Sequence, residues 1–382
     1  LMALLAACAQ PADPGQISPE VPSPAVEGPN DPRPEPRVPT TTPEPSPTAG
    51  LESPAEPPAL IEYNLGEMKI AQTAGESAAE LPMLPLRLDG LIGVPSAAGA
   101  HPIVLIIHDS HPGCPPDVTS GAAAWPCATG VEQRNFLGFD YLVRELAAQD
   151  YIALAINANA AYTTALGNAD AGSRLSDIID LHLGTLIEAG RGGKNLFGVD
   201  LYGRVDGQRI LWIGHGRGGT LAGQIISERA LNDALGATYA GYGPVLGLLQ
   251  VAPTHESNTK TAPADLLFDV ILPACDGQDL DLRGHTYFEA AREDIGQDAG
   301  AGRQSPATSL LLERANHNDF NARAIPDMAA GQIRPDCRLD NLPPPDEQRA
   351  FLAAYAAAFA GWVARSGQEK ADAAAGKGLD PA

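Results

Sequence analysis

Gly214-His215-Gly216-Arg217-Gly218-Gly219 has the residue types and spacing of a catalytic turn with one member missing. The apolar run Ile210-Leu211-Trp212-Ile213 precedes it and reads as a buried strand. A helical pattern from Thr220 to about Leu231 follows. Strand, glycine-rich turn and helix are the setting of a nucleophile elbow, G-x-S-x-G, where a sharp turn exposes a serine hydroxyl. Gly216 stands at the serine's place and offers no hydroxyl, so no acyl-enzyme can form on it. Removing the serine from a working triad costs on the order of 10⁶ in turnover, leaving roughly 10³ to 10⁴ over water. Ser110 and Thr220 are the nearby hydroxyls, and neither sits at the strained apex that activates a nucleophile. Gly214, Gly216 and Gly219 also match the spacing of a dinucleotide-binding turn. The acidic residue that such a turn needs about twenty positions on would be Asp233, which falls in a helical pattern rather than at a strand end, so no cofactor is implied.

The elements that must position this turn alternate along the chain. Ile61 to Ile70 and Leu86 to Val94 form an expected hairpin. Ile103 to Ile107 is a branched apolar run of the kind found in parallel strands covered on both faces. Phe139, Leu142, Val143 and Leu146 recur at helical spacing, and Ile152 to Ile156 is the next strand. Leu175, Ile178, Ile179 and Leu186 mark a second helix with Ser173 as its expected cap. After the elbow come strands at Val245 to Val251, Phe268 to Leu272 and Ser309 to Leu312. A last helix, capped by Asp346, carries Phe351, Leu352, Tyr355, Phe359, Trp362 and Val363. A hairpin followed by alternating strands and helices predicts a mostly parallel, doubly wound α/β sheet. The stretches from Ala158 to Ala171 and from Ala290 to Ser305 have the least pattern and are expected to flank a pocket.

Composition bounds what this domain can meet. The formal net charge is −22, and about a quarter of it comes from eight acidic against two basic residues between Asp13 and Glu56. The rest of the chain stays acidic, which excludes nucleic acid as a partner, because phosphate binding needs clustered Lys and Arg. Residues 9–58 hold 16 of the 35 prolines and read as an extended linker that cannot bury a core. The Leu5-Ala6-Ala7-Cys8 run is similar to the lipobox of a bacterial lipoprotein signal, with residues 1–8 as the signal's end. Lipidation of Cys8 would place the chain outside the cytoplasm, anchored to the cell membrane. Four cysteines remain, an even number in an oxidising compartment, and we pair Cys114 with Cys127 and Cys275 with Cys337. The domain is expected over residues 59–366 and a disordered tail over 367–382.

Ile106-Ile107-His108-Asp109, Gly138-Phe139-Asp140-Tyr141-Leu142, Gly203-Arg204-Val205-Asp206, the elbow, and Ala315-Asn316-His317-Asn318 together resemble the α/β-hydrolases. The likeness is to secreted esterase-like members related to chlorophyllases, platelet-activating-factor acetylhydrolases and polyester hydrolases. It implies the α/β-hydrolase fold from about Ile61 to Val363, with an N-terminal antiparallel hairpin. It also implies a histidine at His317 and an acid at Asp276, in the chain order serine, acid, histidine. Asp279 and Asp281 are rivals for the acid, and Glu256 is a weaker one. The run of aspartates lacks the spacing of a calcium loop, so no metal is expected. The oxyanion donors implied are the backbone N–H groups of Ser110 and Arg217. Where such proteins usually have His-Gly, this chain has His108-Asp109, and a carboxylate aimed at the hole would oppose developing negative charge. Asp109 either opposes that charge or points away, since Asp tolerates unusual backbone angles, and the two departures together favour a domain that has lost ester hydrolysis.

Three functions fit these residues. The first is an exported, lipid-anchored protein with a degraded site that binds a small ester or hydrophobic ligand or keeps residual esterase-like activity. The second is an active carboxylic-ester hydrolase in which a serine at position 216 was lost by a recent change of one base, by engineering or by an error in the sequence. The third is a structural cell-envelope protein. Oligomeric state is not legible in the sequence.

Overall fold

The computed structural model describes residues 57–70, 84–115, 127, 131–163, 171–233, 241–255, 265–293 and 303–374. Cys8, the linker up to residue 56, Glu256 and residues 375–382 lie outside the described residues. Eight strands form one sheet: β1 (Ala59–Ile70), β2 (Leu84–Val94), β3 (His101–Ile107), β4 (Ile152–Ile156), β5 (Val205–His215), β6 (Val245–Val251), β7 (Leu267–Cys275) and β8 (Ala307–Asn316). Their spatial order is β1-β2-β4-β3-β5-β6-β7-β8. β1 with β2 and β2 with β4 are antiparallel, and every later pairing is parallel. This is the α/β-hydrolase fold, a mixed sheet with the expected N-terminal hairpin.

Helices cover both faces because the central strands are apolar on both. Ile103, Leu105 and Ile107 of β3 pack on one side with Leu175, Ile178 and Leu183 of α2 (Ala171–Gly190) and with Leu221 and Ile225 of α3 (Arg217–Asp233). Val104 and Ile106 face the opposite side. There they meet Leu142, Val143 and Leu146 of α1 (Asp140–Ala148) and Leu352, Phe359 and Val363 of the C-terminal helix Pro345–Ala374. Each such side chain taken fully out of water contributes roughly 1.5–3 kcal/mol.

The chain departs from the sequence expectations at several ends. Ser173 lies inside α2, whose start is Ala171, so it caps nothing. Asp346 sits in the first turn of the C-terminal helix, where it complements the helix dipole rather than preceding it. That helix runs to Ala374, beyond residue 366, through Gln368-Glu369-Lys370-Ala371, good helix formers that carry no apolar stripe to announce the element. A short helix α4 (His285–Glu293) overlaps the stretch from Ala290 that lacked pattern, and α5 (Ala329–Ile333) is a single turn, which makes the long C-terminal helix α6. Among the described residues no helix is long and apolar enough to cross a membrane.

Both expected disulfides form. Cys114 and Cys127 lie 5.4 Å apart at Cα, and Cys275 and Cys337 lie 5.2 Å apart. They close spans of 13 and 62 residues. In the chain-entropy account the longer span is worth about 4 kcal/mol and the shorter about 3 kcal/mol. Cys275→Ser/Cys337→Ser is therefore expected to lower the urea midpoint more than Cys114→Ser/Cys127→Ser. Equal or reversed losses would contradict this ranking.

Candidate functional site

The register of the sheet assembles the site. β3 and β5 are parallel neighbours with Ile107 beside Gly214. Two residues further along each chain stand Asp109 and Gly216. β4 lies on one side of β3 and β5 on the other, so the strand order reverses here. Crevices of open α/β sheets form at such points, beyond the carboxyl ends of the strands. β7 and β8 are paired with Cys275 beside Asn316, so the next residues, Asp276 and His317, are neighbours as well. Gln348 of α6 fixes the end of β8, accepting from the Asn316 N–H at 2.9 Å and donating to its carbonyl at 2.7 Å.

The elbow is built as the glycines require. A Cβ on Gly214 would lie 2.4 Å from the Cα of Gly219, so strand and helix approach as closely as backbone permits. Gly216 has φ +54°, the left-handed conformation that side chains rarely adopt. Its N–H donates to Val251 O at 2.9 Å, and its carbonyl accepts from Gly219 N and Thr220 N in the first turn of α3.

Asp109 does not point away. A Cβ built on Gly216 would lie 2.1 Å from Asp109 Cγ and 2.2 Å from its Oδ1, so the carboxylate fills the space of the missing side chain. Arg217 N–H donates to Asp109 Oδ1 at 2.6 Å. The carboxylate thus takes the expected oxyanion donor for itself, at a helix N-terminus that favours negative charge. Ser110 is exposed, and its hydroxyl reaches Asp109 Oδ1 only at 3.5 Å. His108 holds the Asp109 backbone: Nδ1 donates to Asp109 O at 2.7 Å, while Nε2 accepts from Ala158 N at 2.9 Å.

His317 lies between two carboxylates. Nδ1 is 2.9 Å from Asp276 Oδ2 and Nε2 is 3.3 Å from Asp109 Oδ2. Carboxylates only accept, so both ring nitrogens must donate and the ring is an imidazolium. His317 and Asp109 are both 0 % exposed and Asp276 is 4 % exposed, so the charges are shielded from water. Burial alone would lower the His317 pKa, but the hydrogen bonds and charges of Asp109 and Asp276 outweigh it and raise it to about 10. Burial would likewise raise the Asp109 carboxyl, yet its bond to His317 and the charge of that ring hold it well below the usual range.

Of the rivals for the acid, Asp279 turns instead to Arg283 Nε at 3.2 Å and to the N–H of Gly284. Asp281 makes no contact with His317 among the bonds of the site. Thr220 Oγ1 donates to Thr254 O at 2.6 Å and does not reach the imidazole. The His215 ring lies against His317, tilted by 42° with centroids 4.9 Å apart, and its Nε2 donates to His317 O at 2.9 Å. Burial and the neighbouring imidazolium keep His215 well below the ordinary histidine value.

One contributor escapes sequence reading. The exposed side chain of Gln278 donates from Nε2 to Asp109 Oδ2 at 3.1 Å and to Asn318 Oδ1 at 3.1 Å, covering the carboxylate. Asp276 Oδ1 accepts from the backbone N–H groups of Gln278 and Asp279, both at 2.8 Å, so the acid fixes the loop that carries this cover. No motif marks an amide whose role depends on a carboxylate 169 positions away.

The charges fix a pH dependence. A histidine whose pKa rises on folding, from 6.5 to about 10, adds stability that is complete below 6.5 and lost as pH rises through about 10. Across that window the loss is about 1.4 kcal/mol per pH unit. Asp109, held low, adds stability that is lost only as pH falls below the ordinary carboxylate range. Burial lowers His108 to about 4 and also lowers His111 and His215, so these rings add stability above 6.5 that acid removes. The melting temperature is therefore expected to be highest near neutrality and to fall between pH 7 and pH 10. In His317→Gln the alkaline fall should flatten, and an unchanged slope would refute the assignment.

No family model matches this chain, and no curated protein matches it. Among solved structures, a dienelactone hydrolase from Anabaena variabilis is 14 % identical with a TM-score of 0.36, covering 70 % of this chain and 93 % of its own. A dienelactone hydrolase-like promiscuous phosphotriesterase from metagenomic libraries is 13 % identical with a TM-score of 0.43, covering 79 % and 99 %. An arylesterase is 13 % identical with a TM-score of 0.43, covering 81 % and 86 %. What the chain demonstrably has, from its strand order and its turn between β5 and α3, is the α/β-hydrolase fold.

Proposed function

We propose that this chain is an exported, lipid-anchored α/β-hydrolase-fold protein whose site has given up serine-based ester hydrolysis. In this reading the site retains an Asp276–His317 pair and contacts a small ester-like or hydrophobic ligand at its Gln278–Asn318 rim. The observation that carries it is the Asp109 carboxylate in the space that a side chain on Gly216 would need. That overlap speaks against a working serine lost by a single recent change, because residue 109 would have had to change too. It also gives the retained histidine a partner that accepts a proton but cannot become an acyl-serine.

The test is a pair of assays on the full chain, hydrolysis of p-nitrophenyl butyrate and labelling by a fluorophosphonate. Neither should exceed background, and turnover at ordinary esterase rates of about 10 s⁻¹ would overturn the reading. Anchoring is tested separately. Labelled palmitate should be incorporated in a bacterial host and lost in Cys8→Ser; equal incorporation by both removes the anchor from the account.

A further inference from the structure

We propose that the free edge of β8 docks a second copy of this chain, the two strands pairing antiparallel across a two-fold axis. This goes beyond the reading above and is independent of it, because none of the edge groups belongs to the Asp109–His317–Asp276 site.

β8 ends the sheet, and β7 is its one neighbour there. Phe268 stands beside Ala307 in the parallel register, and Phe268 N–H donates to Pro306 O at 3.2 Å. Along a parallel strand the backbone groups turn alternately to one side and the other. Pro306, Thr308 and Leu310 therefore face β7. Ala307, Ser309 and Leu311 direct their N–H and C=O groups away from the sheet. Among the described residues these outward groups have no partner.

The two edges of the sheet differ, and the difference selects the occupant. β1, the opposite edge, carries exposed Glu62, Glu67 and Lys69. Its register breaks between Asn64 and Glu67, where Gly66 N–H turns back to Asn64 Oδ1 at 2.7 Å. Charges and bulges are what keep an edge strand from pairing. β8 has neither from Ala307 to Leu312. No charge lies between Arg303 and Glu313, in a chain whose net charge is −22. The register with β7 is unbroken over the same residues, and Leu311 is 54 % exposed. Irregularity comes only beyond them, where Arg314 has φ +53°. This uncharged edge offers a charged segment no ion pair, and a second copy supplies the same uncharged run. A two-fold axis through Ser309 sets Ser309 opposite Ser309 and Ala307 opposite Leu311. The outward groups of each strand then meet their complements as hydrogen-bonded pairs, in the closed symmetry commonest among homo-oligomers. So short a ribbon buries less than the ~800 Å² per partner of a stable complex, so association is weak and depends on concentration.

Sedimentation equilibrium tests this on the full chain carrying Cys8→Ser, which removes both acylation and a free thiol. Its apparent mass should rise from one chain toward two as concentration increases. Ser309→Pro deletes the central outward donor and leaves the bonds to β7, which Thr308 and Leu310 make. Proline is tolerated on an edge strand in that orientation. Leu311→Lys sets a charge on the edge without removing a backbone group. Both should stay monomeric where the parent is mostly dimer, with melting temperatures in dilute solution close to the parent's. Should Ser309→Pro not fold, Leu311→Lys decides alone. Ser309→Thr keeps the donor and should associate as the parent does. Hydrogen exchange reads the same contact in the backbone. The amides of Ala307, Ser309 and Leu311 should slow as concentration rises, while those of Thr308 and Leu310 stay protected throughout. A parent chain that remains a monomer across the range overturns the proposal. So does a dimer that survives both substitutions. Protection of the three outward amides in dilute solution also overturns it, because the chain would then cover its own edge.

Discussion

Gly216→Ser alone is expected to produce no esterase, whereas Asp109→Gly/Gly216→Ser is expected to produce one. The single substitution puts a Cβ 2.1 Å from Asp109 Cγ, closer than real atoms approach, at a backbone φ of +54°. Asp109 is fully buried and held by Arg217 N and His317, so it has no low-cost place to go. The serine would also meet a histidine whose Nε2 already carries a proton and cannot accept another. Removing the Asp109 side chain clears the space, releases Arg217 N–H, and returns His317 to a single carboxylate partner. A hydroxyl at 216 would then face a neutral imidazole backed by Asp276. The double variant should exceed the single by about 10³-fold or more in p-nitrophenyl ester hydrolysis, within the range that a nucleophile contributes to a triad. Equal activities would mean that Asp109 is not what blocks the site.

Asp109→Ala is expected to destabilise the protein by about 3–5 kcal/mol, the range for breaking a buried ion pair by deleting one partner. The deletion strips His317 of one acceptor in a buried place, and removes the acceptor of Arg217 N–H and one of the two acceptors of Gln278 Nε2. Asp109→Asn keeps the shape and one acceptor oxygen for Arg217 N–H, so it should cost less. Urea unfolding of the two variants checks this. A loss below about 1 kcal/mol for Asp109→Ala, as for an exposed pair, would show that the ionic trio is not buried as described.

The fold was legible where apolar periodicity carries it. β3, β4 and β6 are short branched runs, and the structure returns them within a residue or two. β5 was visible only in its buried half, because its first residues are partly exposed and polar. Parity and the expected export predicted two bridges without selecting their connectivity, and the pairing chosen is the one that forms. Asp276 and His317 were found from motif and chain order, and the β7–β8 register explains why they meet. The orientation of Asp109 was not legible. Its side chain turns inward because Gly216 leaves a void, Arg217 offers an N–H and His317 offers a charge. Those three groups lie more than a hundred residues away in the chain and converge only through the β3–β5 and β7–β8 pairings. A sequence reader sees the missing hydroxyl and the extra carboxylate as two separate departures. The structure makes them one exchange of occupants.

The most direct measurement is the protonation state of His317 by ¹⁵N nuclear magnetic resonance of the full chain. At pH 8 both ring nitrogens should carry protons, with deprotonation near pH 10, and Asp109→Asn should return the ring toward ordinary histidine behaviour. A neutral imidazole at pH 8 in the native chain, titrating near 6.5, would show that Asp109 does not sit against Nε2 and would contradict the account.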